Sequence, residues 1–178
     1  MDRARSHYLE RLGATLASLE SEGRSVFSEI CIEIPRLDAS RGVYRLYVVD
    51  LLERRSGGGT NVLEVNVDPI EVETGDLPVD SAISWNGIEF RCSADGFPED
   101  AVASWAARWI TDESPPMGPQ DGFTGIIHSV TEPTLTGSQV AFSVDFGSAP
   151  IAALDELIAL LGSSLCSLGS YSLARPMT

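Results

Sequence analysis

Two histidines and three cysteines bound the chemistry open to this chain. Cys31, Cys92 and Cys166 lie far apart, and with His7 and His128 they form no CxxC, HxxxH or HExxH spacing. A zinc site built by the protein is therefore not expected, and neither is a cofactor. Their contexts are apolar or strand-like, so the thiols read as free and buried. His128 falls in a β-rich run on the side of Ile126 and Val130. Such a histidine is by default a core or edge residue bonded to backbone. It is also the weak catalytic candidate, because an imidazole titrating near about 6.5 suits a general base. Cys92 or Cys166 could then serve as nucleophile, provided the strands adjoin.

Other chemistries are excluded more firmly. The chain has no lysine, which removes Schiff-base chemistry, pyridoxal phosphate attachment and a lysine-dependent P-loop. It has neither a GxSxG elbow nor a GxGxxG after a strand. The run Arg54-Arg55-Ser56-Gly57-Gly58-Gly59 joins two strands, whereas phosphate-cradling glycines lead into a helix. It reads as a flexible turn. Asp76 and Asp80 lack the spacing of an EF-hand loop. The pair Asp112 and Glu113 sits in a loop that fixes no separation, unlike the two carboxylates of a glycosidase.

Charge is the most informative global property. Residues 1–55 hold nine Arg and nine Asp or Glu, whereas residues 56–178 hold three Arg and seventeen Asp or Glu. The formal charge of −14 thus belongs to the later part of the chain. Such a field repels nucleic-acid phosphates and anionic lipid and favours a basic partner; a surface acidic only for solubility is the plainer reading. No run of about 18 apolar residues is present, so no membrane span is expected. The charged N-terminus lacks the apolar core of a signal peptide, and a cytoplasmic protein is expected.

The elements that position these residues follow from periodicity. Tyr8, Leu9, Leu12, Leu16 and Leu19 form one stripe and predict a helix over residues 3–22. Phe27–Ile34 reads as a strand with Ile30, Ile32 and Ile34 on one side and Glu29 and Glu33 on the other. Val43–Glu53 is apolar on both faces in its middle, as a central strand is. Val62–Val67 returns, and the acidic, turn-rich residues 73–81 mark a boundary. Beyond it, Asn86-Gly87 signals a hairpin, Asp95–Asp100 starts a helix with Pro98 and two acids in its first turn, and Phe123–Val130 with Val140–Phe146 makes a second hairpin. Pro150 opens and Gly162 closes another helix, and Leu165–Leu173 is a weak final strand.

The expected fold is α+β: an antiparallel sheet with helices on one face. The N-terminal part (1–80) is a helix plus a three-strand meander. The C-terminal part (81–178) follows the β-α-β-β-α-β order of ferredoxin-like sandwiches and shares one sheet or core with the first. The favoured function is a non-catalytic acidic binding protein that captures a basic protein, immunity- or antitoxin-like. Candidate contacts are Asp76, Asp80, Asp112, Glu113, Asp121 and Trp109, although core packing is the simpler role for the tryptophans. The alternatives are a small-molecule or enzymatic pocket around His128, and a structural subunit that pairs with its own copy as a homodimer.

Overall fold

Ala4, Tyr8, Leu12 and Leu19 recur at helical spacing, and their burial makes one face of α1 (Asp2–Ser21). A computed structural model describes residues 1–35, 39, 41–72, 78–111, 116–119 and 121–170. The chain is α+β, with three α-helices and two antiparallel sheets among those residues. The first sheet is a meander of β1 (Ser25–Glu33), β2 (Leu46–Arg54) and β3 (Thr60–Leu63), in that order. β2 is central and buried through Val48, Val49, Asp50 and Leu51.

The second sheet contains β4 (Ile88–Ser93), β5 (Ser129–Val130), β6 (Thr134–Thr136), β7 (Gln139–Asp145) and β8 (Leu165–Ser170). Its order is β5-β7-β4-β8, with β6 also paired to β7. Helix α2 (Glu99–Trp109) follows β4, and α3 (Ile151–Leu161) follows β7. Each crossover therefore straddles a strand of the other, an interleaving compatible with the ferredoxin-like order. Gly162 ends α3 at φ +48°, a backbone that glycine adopts freely. One hydrophobic cluster runs through the molecule. Tyr8 and Leu12 of α1, Val48 and Leu51 of β2, Phe90 of β4, Trp105 of α2 and Leu157 of α3 all belong to it.

Three local expectations change. Asn86 and Gly87 do not take positive φ and do not join two strands. Asn86 instead uses its side chain, donating to the Val65 carbonyl at 3.1 Å and accepting from Ser84, while Ile83 bridges Ile70. A tight turn still forms one residue earlier, with Trp85 and Asn86 at its centre and the Gly87 amide donating to the Ser84 carbonyl at 3.0 Å. Of Phe123–Val130, only Ser129 and Val130 form a strand. The residues before them lie between the sheets: the His128 amide donates to Asp145, and the His128 carbonyl accepts from Val48.

The third change concerns the simple alternation of β1, because Glu29 is buried at 2% exposure while Ile32 faces outward. Val26 and Cys31 both pack on the core, while Phe27 and Ile32 both face outward. Each pair is five residues apart, and a regular strand places only even separations on one face. Glu29, at φ +53°, is where the strand changes face. That conformation costs a non-glycine residue on the order of 1 kcal/mol. The partner pairing continues on either side, Ser28 with Leu51 and Ile30 with Val49, which sets Glu29 opposite Asp50.

Candidate functional site

His128 has no exposed surface and is enclosed by carboxylates from three strands. Its Nε2 lies 3.1 Å from Glu29 Oε1, and its Nδ1 lies 2.9 Å from Asp50 Oδ1 and 4.0 Å from Asp145 Oδ1. The Tyr8 hydroxyl donates to Asp50 at 2.5 Å, and the Tyr8 and His128 rings meet edge to face. A charge taken out of water needs such partners, because desolvation otherwise costs several kcal/mol per ion. The second oxygens of Asp50 and Glu29 are also occupied. Asp50 Oδ2 accepts from the Val65 amide, and Glu29 Oε2 accepts from both the amide and the hydroxyl of Thr124.

The titration of these groups follows from that geometry. Burial by itself would lower the His128 pKa, but the bonds to Asp50 and Glu29 outweigh it and raise the value well above the ordinary range. Burial likewise opposes ionisation of Glu29, yet His128, Ser148 and the Thr124 amide hold its carboxyl below the usual range. Asp145 is pushed up to about 7 by burial and by its neighbour Asp50, against the attraction of His128. It is also the carboxylate of this group most open to water, with 16% of its side chain exposed. Tyr8 is raised well above its ordinary value by burial and by the charge of Asp50.

Gly147 makes room for the imidazole. A Cβ at this position would lie 2.0 Å from His128 Cδ2 and 2.3 Å from Nε2, and φ is +47°. Its amide donates to Asp145, and its carbonyl accepts from Trp85 Nε1. Helix α1 locks the adjoining residues, because Arg5 Nε donates to the Ala149 carbonyl at 2.8 Å and Arg5 Nη2 to that of Ser148 at 3.2 Å. The cluster thus draws on α1, β1, β2, β7 and the turn after β7. Chemically, it holds a proton among fixed carboxylates. A general base must reach the proton it abstracts, and here both ring nitrogens face protein carboxylates.

Of the three thiols only Cys92 is buried, Cys31 being half-buried and Cys166 exposed, and Cys92 lies outside this group. Cys92 pairs with Val140 on β7, five residues from Asp145, which at strand rise is roughly 17 Å along the sheet. Burial and the nearby Cys166 push the Cys92 thiol up to about 11, away from nucleophilic thiolate. Trp85, Trp105 and Trp109 are each at most 2% exposed. Each indole donates inside the fold, to Gly147, Ala153 and Glu156 respectively.

Of the other candidate contacts, Asp121 is exposed and pairs with Arg5 at 2.8 Å. Asp80 accepts from Ser167 and pairs with Arg91 at 3.3 Å. Asp76, Asp112 and Glu113 lie outside the described residues. The sequence reading singled out His128 but missed Tyr8, Glu29, Asp50, Asp145 and Gly147. Asp50 carried a usable signal: a carboxylate in the apolar run Leu46–Leu52 requires a buried partner.

The chain matches no protein-family model, and no similar curated protein or solved structure was found. Among the described residues, no helix is long and apolar enough to cross a membrane.

Proposed function

We propose that this chain is a non-catalytic, cytoplasmic binding protein that captures a basic protein through surface carboxylates, in the manner of an immunity or antitoxin protein. The observation that carries the reading is an acidic ribbon after β3. Val65 and Val67 turn into the core, while Glu64, Asp68 and Glu71 are exposed. Among the described residues, no arginine pairs with Asp68 or Glu71. By contrast, Arg5 is committed to Asp121, Arg41 to Glu99 and Asp100, Arg91 to Asp80 and Glu89, and Arg108 to Glu156. Arg5 and Arg41 of the N-terminal part thus pair with acids of the C-terminal part, Arg91 and Arg108 with acids nearby, and Asp68 and Glu71 keep their charge for another molecule. Asp80 and Asp121 would have to exchange their arginines for those of the partner. The enclosure of His128 supports the same reading, since it offers a substrate no approach.

Capture at low salt should recover a basic protein, and its association rate should fall steeply as ionic strength rises. The double substitution Asp68→Asn with Glu71→Gln should slow association several-fold and leave dissociation nearly unchanged, as rim charges do. Association that ignores both salt and this substitution would refute the proposal.

A homodimer is the second reading, favoured by one apolar row. Phe27, Leu52 and Val62 are cross-strand neighbours on the first sheet, with Phe27 46% and Val62 47% exposed. Mass in solution distinguishes it: a monomer at high concentration removes this reading and leaves the first intact.

A further inference from the structure

A cavity of about 940 Å³ opens beside the turn that links β2 to β3. Three guanidinium side chains line it, those of Arg24, Arg54 and Arg55, against the single carboxylate of Glu53. On a chain of formal charge −14, this is a local reversal of sign. Glu53 offsets one of these charges only: both of its oxygens are taken by Arg24, at 2.7 and 2.5 Å, and Glu22 lies 3.5 Å from the same guanidinium. That bidentate contact holds Glu53 below the usual carboxylate range, with Asn61 adding a weaker bond. Arg54 and Arg55 are exposed and form no ion pair among the described residues.

The turn supplies further donors. Gly58 donates to the Arg55 carbonyl and Arg55 to that of Gly59, each at 3.1 Å. Among the described residues, no backbone acceptor takes the amides of Ser56 or Gly57. A Cβ on Gly57 or Gly58 would meet nothing within 4 Å, so the loop stands clear of the body. Two guanidinium forks, two backbone amides and the hydroxyls of Ser25 and Ser56 are all donors, and they suit a ligand rich in acceptor oxygens. Phosphate matches the arginine fork in two-point contact. The chain's overall negative charge opposes such a ligand only at long range. That repulsion is screened beyond about 8–10 Å at physiological salt, whereas contacts within the cavity are not. The volume lies at the upper end of small-molecule sites, about 300–1,000 Å³, and exceeds what a bare phosphate fills.

We propose that the cavity walled by Arg24, Arg54 and Arg55 beside the β2–β3 turn binds a small phosphate-bearing molecule. The inference does not depend on the acidic ribbon or on the basic partner. It replaces the reading of the triple glycine as a mere turn: the arginines carry the recognition, and the glycines leave the approach open.

The test is titration of the full chain with pyrophosphate and, separately, with a nucleoside monophosphate. It is followed by amide resonances of residues 56–59 at ionic strength held constant with sodium chloride. Saturable shifts are expected with at least one of the two. The double variant Arg54→Ala with Arg55→Ala should bind about tenfold more weakly or worse, given the strength of charge-assisted bonds. Its melting temperature should match the parent, because both side chains are exposed. Arg54→Lys with Arg55→Lys, which keeps charge but loses the fork, should also bind more weakly than the parent. Tighter binding of the nucleotide assigns the spare volume to an organic group; tighter binding of pyrophosphate assigns the site to inorganic phosphates. Shifts reproduced by chloride alone, or equal affinity in the alanine variant, would overturn the proposal.

Discussion

Asp145→Asn isolates the buried cluster's dependence on pH. The Asp145 carboxylate accepts from the Gly147 amide at 2.9 Å, and an asparagine oxygen can take the same bond. The change therefore removes a titrating charge and keeps the geometry. In the folded protein this carboxyl holds its proton up to about pH 7, whereas in the unfolded chain it releases the proton near 3.8. Between those values the folded state binds more protons, so stability falls as pH rises. At full coupling that interval is worth ~4 kcal/mol. Two effects reduce the expected difference. Water reaches 16% of the side chain, and the substitution forfeits the attraction between Asp145 and His128. We expect the variant to exceed the parent by ~2 kcal/mol at pH 8 and to match it near pH 4.5. His128, raised in the fold, adds a second decline above about pH 6.5 in both proteins. Glu29, lowered in the fold, adds a loss only below about pH 4.5. The parent should thus be most stable on the acid side of neutrality. Urea unfolding followed by circular dichroism across this range measures the difference. Parallel pH profiles, or a variant less stable at pH 8, would show that Asp145 is not the proton-holding group.

Gly147→Ala places a methyl group 2.0 Å from the His128 ring at positive φ, so the ring must leave its carboxylates; a loss of about 4 kcal/mol or outright misfolding is expected in denaturant titration. Glu29→Gln should cost about 3 kcal/mol at pH 6 and lower the His128 titration midpoint, read from its imidazole proton resonance; an unmoved midpoint contradicts the pairing. Tyr44 is fully buried, and its hydroxyl has no hydrogen-bond partner among the described residues. Burial raises its pKa to about 12. Tyr44→Phe should therefore be neutral or stabilising by up to ~1 kcal/mol in thermal unfolding, and a large loss would reveal a partner for that hydroxyl.

Particular elements show where sequence reasoning reached and where it stopped. Helix α1 was legible from Tyr8, Leu12 and Leu19, because a helix writes its buried face at short, regular spacing. β7 was legible from Val140, Phe142 and Val144, and α3 from its leucines between Pro150 and Gly162, for the same reason. The triple glycine and its two arginines could be placed in a turn, but the partner that occupies Glu53 could not be named.

The chain's own order of residues thus determined the α+β class, the lack of lysine chemistry and the acidic excess after residue 55. Tertiary structure alone decided that His128 is a sealed centre. Its partners sit at positions 8, 29, 50 and 145, and only long-range packing brings side chains so distant in sequence to within 4 Å. It also decided that Glu29 points inward, against its alternation. There a backbone at φ +53° departs from the pleat, and the Glu29 carboxylate stands 3.1 Å from the buried imidazole.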